Sequence, residues 1–204
     1  MTFDLAWLEA MHDTFNRDDD YRAGNEVSCW FQPRDRTGRV AAGEPLTLKG
    51  ACACGAVRYQ MTSGPLFVHC CHCRWCQRET GSAFALNAMI EADRVVLLSG
   101  EPEVVNTPSN SGKGQKIARC PKCRIALWSN YAGAGDAVRF VRVGTLDEAD
   151  RLPPDIHIFT ASKQPWVVLP PNTPAVAEYY EQDKYWPKES RARRRALLAG
   201  VRTL

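Results

Sequence analysis

The chain of 204 residues lacks any apolar run approaching the about 20 residues that span a bilayer, which argues against a membrane-spanning protein. Its first residues, MTFDLAWLEAMHD, lack a basic stretch ahead of an apolar one and carry acids early, so they read as an amphipathic helix and not a signal peptide. A reducing, cytoplasmic location is the expectation, where thiols stay free or bind metal. Nucleotide chemistry has no foothold. Ser109–Gly114 lacks the spacing of a phosphate-cradling loop, and Gly133-Ala134-Gly135 lacks a third glycine. There is no internal repeat and no low-complexity segment. The cysteine count, nine, is odd, which speaks against a framework of disulfides.

What is abundant is clustered cysteine. Seven of the nine fall in Cys52-Ala53-Cys54, Cys71-His72-Cys73-Arg74-Trp75-Cys76 and Cys120-Pro121-Lys122-Cys123. In extended chain, residues i and i+2 share a face, so Cys52 and Cys54 can present two sulfurs together. Pro121 fixes a tight turn that does the same for Cys120 and Cys123. Two such pairs supply the four sulfurs of a closed tetrahedral zinc site. Cys71, Cys73 and Cys76 supply three, with Cys73 and Cys76 one helical turn apart. Three protein ligands leave a position for water or a substrate sulfur, the layout of a catalytic zinc. Cys70 would point to the opposite face from Cys71 and reads as a packed thiol, although the doubled Cys70-Cys71 leaves the choice of ligand open. Cys29, beside Trp30 and Phe31, reads as a small buried hydrophobe.

Metal also changes the charge. The formal net charge is +3. Four thiolates on one zinc remove two charges and three on a second remove one, which brings the total to zero and removes the main case for nucleic acid. The remaining basic run, Arg191-Ala192-Arg193-Arg194-Arg195, reads as a solvated helix face.

Three segments are expected. Residues 1–45 form a helical N-terminal extension with Phe3, Leu5, Leu8, Met11 and Phe15 at near-helical spacing. This face could cover a second copy in a homodimer. Residues 46–170 form a zinc-binding β domain, with strands at 56–60, 66–70, 83–90, 95–98, 103–106, 116–119, 125–129, 138–143 and 155–160. Loops at 109–114 and 132–136 read as hairpin connections. Residues 171–204 form an aromatic-rich, basic helical extension, whose last helix spans Glu189–Ala199 and stops at Gly200.

At these motifs the chain resembles the glutathione-dependent formaldehyde-activating (GFA) or centromere-protein-V-like family. The matching residues are Gly50-x-Cys52-x-Cys54-Gly55-Ala56-Val57-Arg58-Tyr59, then Cys71-His72-Cys73-x-x-Cys76-x-x-x-Thr80-Gly81-Ser82-Ala83-Phe84. Cys120-Pro121-x-Cys123, His157-Ile158 and Lys163-x-x-Trp166 follow. The resemblance implies a mainly β fold shared with methionine-R-sulfoxide reductases and Rab-release factors. It implies a structural zinc on Cys52, Cys54, Cys120 and Cys123 and a second site at Cys71, Cys73 and Cys76. The implied activity is a carbon–sulfur lyase that joins a thiol such as glutathione to a small aldehyde, typified by formaldehyde.

One departure is Arg124, which stands where the knuckle usually ends in Gly, so a differently shaped turn is expected. Arg78 is a candidate partner for a glutathione carboxylate, with a surface salt bridge the simpler role. Ser82 could cap or line the site. For His157, Trp166 and Lys163 the simpler readings are a satisfied structural histidine, a core aromatic and a solvated charge. A methionine sulfoxide reductase would need a late catalytic cysteine, and none follows Cys123. The remaining alternative is a zinc-stabilised scaffold without chemistry.

Overall fold

A computed structural model describes residues 46–201 except Asn110. The expected N-terminal helix and Cys29 lie outside the described residues. Among the described residues ten strands form two sheets. β1 (Leu48–Ala51), β2 (Arg58–Met61) and β5 (Val95–Ser99) make a three-stranded antiparallel sheet in the order β1-β2-β5. The second sheet has seven strands. They are β3 (Phe67–Cys71), β4 (Ala85–Glu91), β6 (Glu103–Thr107), β7 (Gln115–Arg119), β8 (Ala126–Tyr131), β9 (Val138–Arg142) and β10 (Ile156–Ile158). Their order is β10-β3-β4-β9-β8-β7-β6, and all pairs are antiparallel except β10 with β3.

At β3 and β4 the seven-stranded sheet buries both faces, whereas its edge strand β6 is largely exposed. Val68, Ala88, Ile90, Ala118, Leu127 and Val141 share a core with Leu48, Tyr59, Met61 and Val95 of the small sheet. Tyr59 packs edge-on to Trp128 at 5.6 Å. Glycine is required at two places in this layer. A Cβ on Gly50 would lie 2.7 Å from Thr145 O and from the Tyr59 ring, and one on Gly100, at φ 66°, would lie 2.0 Å from Ala56 O. The opposite face carries Phe67, Cys71, Ala85, Met89 and Val138. Against it packs the C-terminal segment, through Val176, Tyr180, Tyr185, Trp186 and Leu197.

That segment begins as extended chain. Ala175 bridges His157 in parallel, His157 N donates to Pro174 O, and Val176 N donates to His157 O. Helicity therefore starts later than the aromatic composition suggested, with α2 (Gln182–Tyr185) and α3 (Lys188–Val201), and α3 runs through Gly200. α3 is held by Arg193, which reaches a nearly buried Glu91 at 2.9 and 2.6 Å and Gly64 O at 3.0 Å. The remaining helix, α1 (Arg74–Thr80), follows β3 directly and ends at Gly81 in the left-handed region. No described helix is long and apolar enough to cross a membrane.

Candidate metal centre

The first cluster is built by two turns on different sheets. After β1, Gly55 N donates to Cys52 O and Cys52 N to Val57 O, and Gly55 takes φ 70°. Between β7 and β8, Arg124 N donates to Cys120 O and Cys120 N to Ile125 O. Arg124 itself takes φ 63°. The knuckle thus keeps the left-handed geometry a glycine would give, which corrects the expectation of a different turn. The side chain's ion pair with Glu103 accompanies that strained backbone.

The four sulfurs of Cys52, Cys54, Cys120 and Cys123 lie within 4.8 Å of one another. Cys52 and Cys54 are 3.6 Å apart, and Cys54 and Cys120 3.7 Å. A tetrahedral ion with metal–sulfur distances near 2.3 Å separates its sulfurs by roughly 3.8 Å, so this donor set fits zinc. Backbone N–H groups of Ile125 and Cys54 pull the Cys123 thiol down to about 6, toward the ligating thiolate. Cys52 and Cys120 belong to the core between the sheets, so an ion here would fasten β1 to the β7–β8 turn.

The second cluster sits at the end of β3. Cys71 closes the strand, Cys73 caps α1 by accepting from Cys76 N at 3.3 Å, and Cys76 lies in the first turn. The three sulfurs are also within 4.8 Å of one another, and among the described residues no fourth His, Cys, Asp or Glu joins them. Hydrogen bonds from Cys71 and Cys76 drive Cys73 down to about 2, while sharing with Cys73 and Cys76 pushes Cys71 far above the usual thiol range. Three thiols this close hold negative charge readily and match a soft cation. Cys71 is the sulfur that meets Cys73 and Cys76; Cys70 points to the other face, beside His72 at 3.6 Å.

Several residues here carried no signal in the sequence. Arg142 is buried, donates to Asn87 Oδ1 at 2.6 Å and bears on Cys76 electrostatically. Burial, with the charge of Cys76, keeps the Tyr131 phenol protonated. Gln77 donates to His72 O at 2.7 Å and Ser162 O at 2.9 Å, tying α1 to the loop after β10. His69 lies 2.6 Å from the Tyr180 hydroxyl, which accepts from Trp186 Nε1 at 2.7 Å. Burial lowers His69 to about 4. Phe159, packed on this cluster, holds φ 56°, unusual for a bulky residue and characteristic of constrained sites. Burial of charged and polar groups is a tertiary outcome, so one-dimensional patterns could not single these out.

The weaker candidates divide. Arg78 and Ser82 are exposed. Trp166 is 72% exposed and so not core. Lys163 is half-buried and donates to Gln164 O and Val167 O, not a simple solvated charge. His157 is buried, but its Nε2 has no partner, so it is not the satisfied histidine expected.

A mainly β domain with a four-cysteine and a three-cysteine group, both of metal-ligating geometry, defines the class of protein. The sequence model of the glutathione-dependent formaldehyde-activating enzymes matches residues 47–162, and the chain belongs to this family. A Halomonas elongata protein, provisionally named a glutathione-dependent formaldehyde-activating enzyme, is 28% identical over 160 residues, which is 75% of this chain and 97% of its own. A crystal structure of a Rhodobacter sphaeroides protein matches 48% of this chain and 87% of that one at 22% identity, with a TM-score of 0.38, too loose to carry an argument.

Proposed function

We propose that the chain is a zinc-dependent carbon–sulfur lyase that adds a thiol such as glutathione to a small aldehyde. The observation that carries this reading is the three-sulfur cluster without a fourth protein donor among the described residues. Cys71, Cys73 and Cys76 would hold the zinc of that cluster, and Cys52, Cys54, Cys120 and Cys123 a structural one. A zinc held by these three cysteines would supply stabilisation of a substrate sulfur as its thiolate.

The chain's own residues would do the rest. The N–H groups of Trp75 and Cys76 steady the Cys73 sulfur at the start of α1. Arg142 sets a buried positive charge beside Cys76 and offsets the surplus negative charge of three thiolates. Tyr131 feels the charge of all three cysteines and also lines an open cleft of about 680 Å³ with Asn106, Lys113 and Asn130. A peptide-like thiol lying there would find Lys113 for a carboxylate. The substrate sulfur forms the new bond to the aldehyde carbon, the carbonyl electron pair moves to oxygen, and that oxygen takes up the proton the thiol gave up. Holding both reactants at one place is the main contribution.

The test is exchange-rate measurement by NMR on mixtures of glutathione and formaldehyde. The wild-type protein should speed formation of the S-hydroxymethyl hemithioacetal adduct, and a folded Cys73→Ser variant should not. Equal rates with and without wild-type protein would overturn the reading. A non-catalytic scaffold is favoured by one observation, the burial of Cys71, Cys73 and Cys76 at 6 to 7% exposure. That alternative predicts no acceleration by the zinc-replete wild type.

A further inference from the structure

Strand alternation divides the run Cys70-Cys71-His72-Cys73 between two faces. Cys71 and Cys73 join Cys76. Cys70 and His72 point the other way, where the parallel partner of Cys70 on β10, His157, meets them. His72 Nε2 lies 3.0 Å from His157 Nδ1 and 3.6 Å from Cys70 Sγ. Cys70, His72 and His157 are 2, 0 and 5% exposed. We propose that Cys70, His72 and His157 form a separate binding site for a thiophilic divalent metal ion, zinc or one of similar softness.

Donor accounting is the first support. An imidazole nitrogen offers one N–H or one lone pair. Two polar atoms nevertheless converge on His72 Nε2. A hydrogen bond to His157 leaves the Cys70 contact unused, whereas a cation takes a lone pair from each of the three. The outer nitrogens, His72 Nδ1 and His157 Nε2, have no protein partner whichever way the rings are protonated. With an ion both outer nitrogens would carry N–H, and without one they are a single N–H and a lone pair, so they lack a partner either way.

Distance is the second. Zinc at ~2.3 Å from sulfur and ~2.0–2.1 Å from nitrogen separates a sulfur from a nitrogen ligand by roughly 3.6 Å, and two nitrogens by roughly 3.3 Å. The spacing from the Cys70 sulfur to the His72 nitrogen is already met, and the three ligand atoms lie within 4.8 Å of one another. The two rings need to part by a few tenths of an ångström, and what draws them together now is the hydrogen bond that the metal would replace. One thiolate with two imidazoles is also a donor set that suits zinc, cobalt or copper over magnesium or calcium.

The site has a use. β10 has only three residues, set between β3 and the short bridge at Ala175. An ion across His157, Cys70 and His72 would fasten it there. It would also steady the turn at Thr160–Ser162, whose Ser162 hydroxyl donates to His72 O at 3.0 Å. The backbone between Cys71 and Cys73 would then be held from behind.

The direct test is an anomalous difference map at the zinc absorption edge, from crystals of the zinc-replete wild-type protein. A peak among Cys70 Sγ, His72 Nε2 and His157 Nδ1 is expected. No peak there while the thiolate clusters are occupied would overturn the proposal. In solution, zinc-replete His157→Gln should carry one zinc fewer per chain than zinc-replete wild type, with unchanged far-UV circular dichroism. An unchanged zinc count in the folded variant would overturn it equally. Should His157→Gln unfold, the wild-type map decides alone.

Discussion

Replacing Arg193 tests whether the C-terminal helix is part of the domain's stability. The guanidinium grips Glu91 through two nitrogens, at 2.9 and 2.6 Å, and also donates to Gly64 O and Ser63 Oγ at 3.0 and 3.3 Å. The two side chains are 14% and 6% exposed, so this is a desolvated pair and not a surface bridge. Removing one partner of such a pair costs about 3–5 kcal/mol, because the other charge stays buried. Arg94 remains 3.6 Å from Glu91 and offsets part of the loss, so Arg193→Met should lie near the lower end, about 3 kcal/mol. Glu91→Met should cost a similar amount. The double variant should cost far less than the sum, since apolar replacements of both partners strand no charge. Urea unfolding followed by tryptophan fluorescence reads this, with zinc held in fixed excess because bound metal adds to apparent stability. A loss below about 1 kcal/mol for Arg193→Met, or simple additivity in the double variant, would show that the two side chains are not a coupled, desolvated pair.

Three further outcomes are expected. Arg124→Gly should relieve a left-handed backbone strain of about 1 kcal/mol and forfeit an exposed ion pair worth less, so it should be more stable than Arg124→Ala in the same urea assay; the reverse order would contradict the strain. Burial pushes the Tyr59 phenol well above its usual value, with Thr145 its hydrogen-bond partner at 2.7 Å. The folded state keeps a proton that the unfolded chain releases above about pH 10, so stability is intact below that pH and falls as pH rises past it. Tyr59→Phe should flatten the fall between about pH 10 and 12, and parallel stability curves for the two proteins would exclude this. Gly50→Ala should destabilise by about 1–3 kcal/mol through overpacking against Tyr59 and Thr145 O, read as a lowered unfolding midpoint.

Most strands were legible because turn residues punctuate them and their alternation is regular. β1 was not, since LKGA is short and contains a glycine whose reason lies in the Tyr59 ring on the paired strand and Thr145 O far along the chain. Residues 174–178 read as the start of a helical region, yet their backbone groups pair with β10, a partner no local pattern encodes. The spacing of the cysteines made their convergence legible, because i, i+2 alternation and a single helical turn are local geometry. The same alternation, applied to Cys70 and His72, leads to His157 only once the parallel register of β10 on β3 is known. Arg142 and Gln77 stayed hidden for a related reason: nothing local marks a polar side chain that tertiary packing will bury.

In the proposed function Cys71, Cys73 and Cys76 hold a metal distinct from the one at Cys52, Cys54, Cys120 and Cys123. Zinc content per chain, measured on wild type and Cys73→Ser purified without chelator, tests it most directly. Cys73→Ser should carry one zinc fewer with its far-UV circular dichroism unchanged. Equal zinc in the two proteins, with both folded, would contradict it.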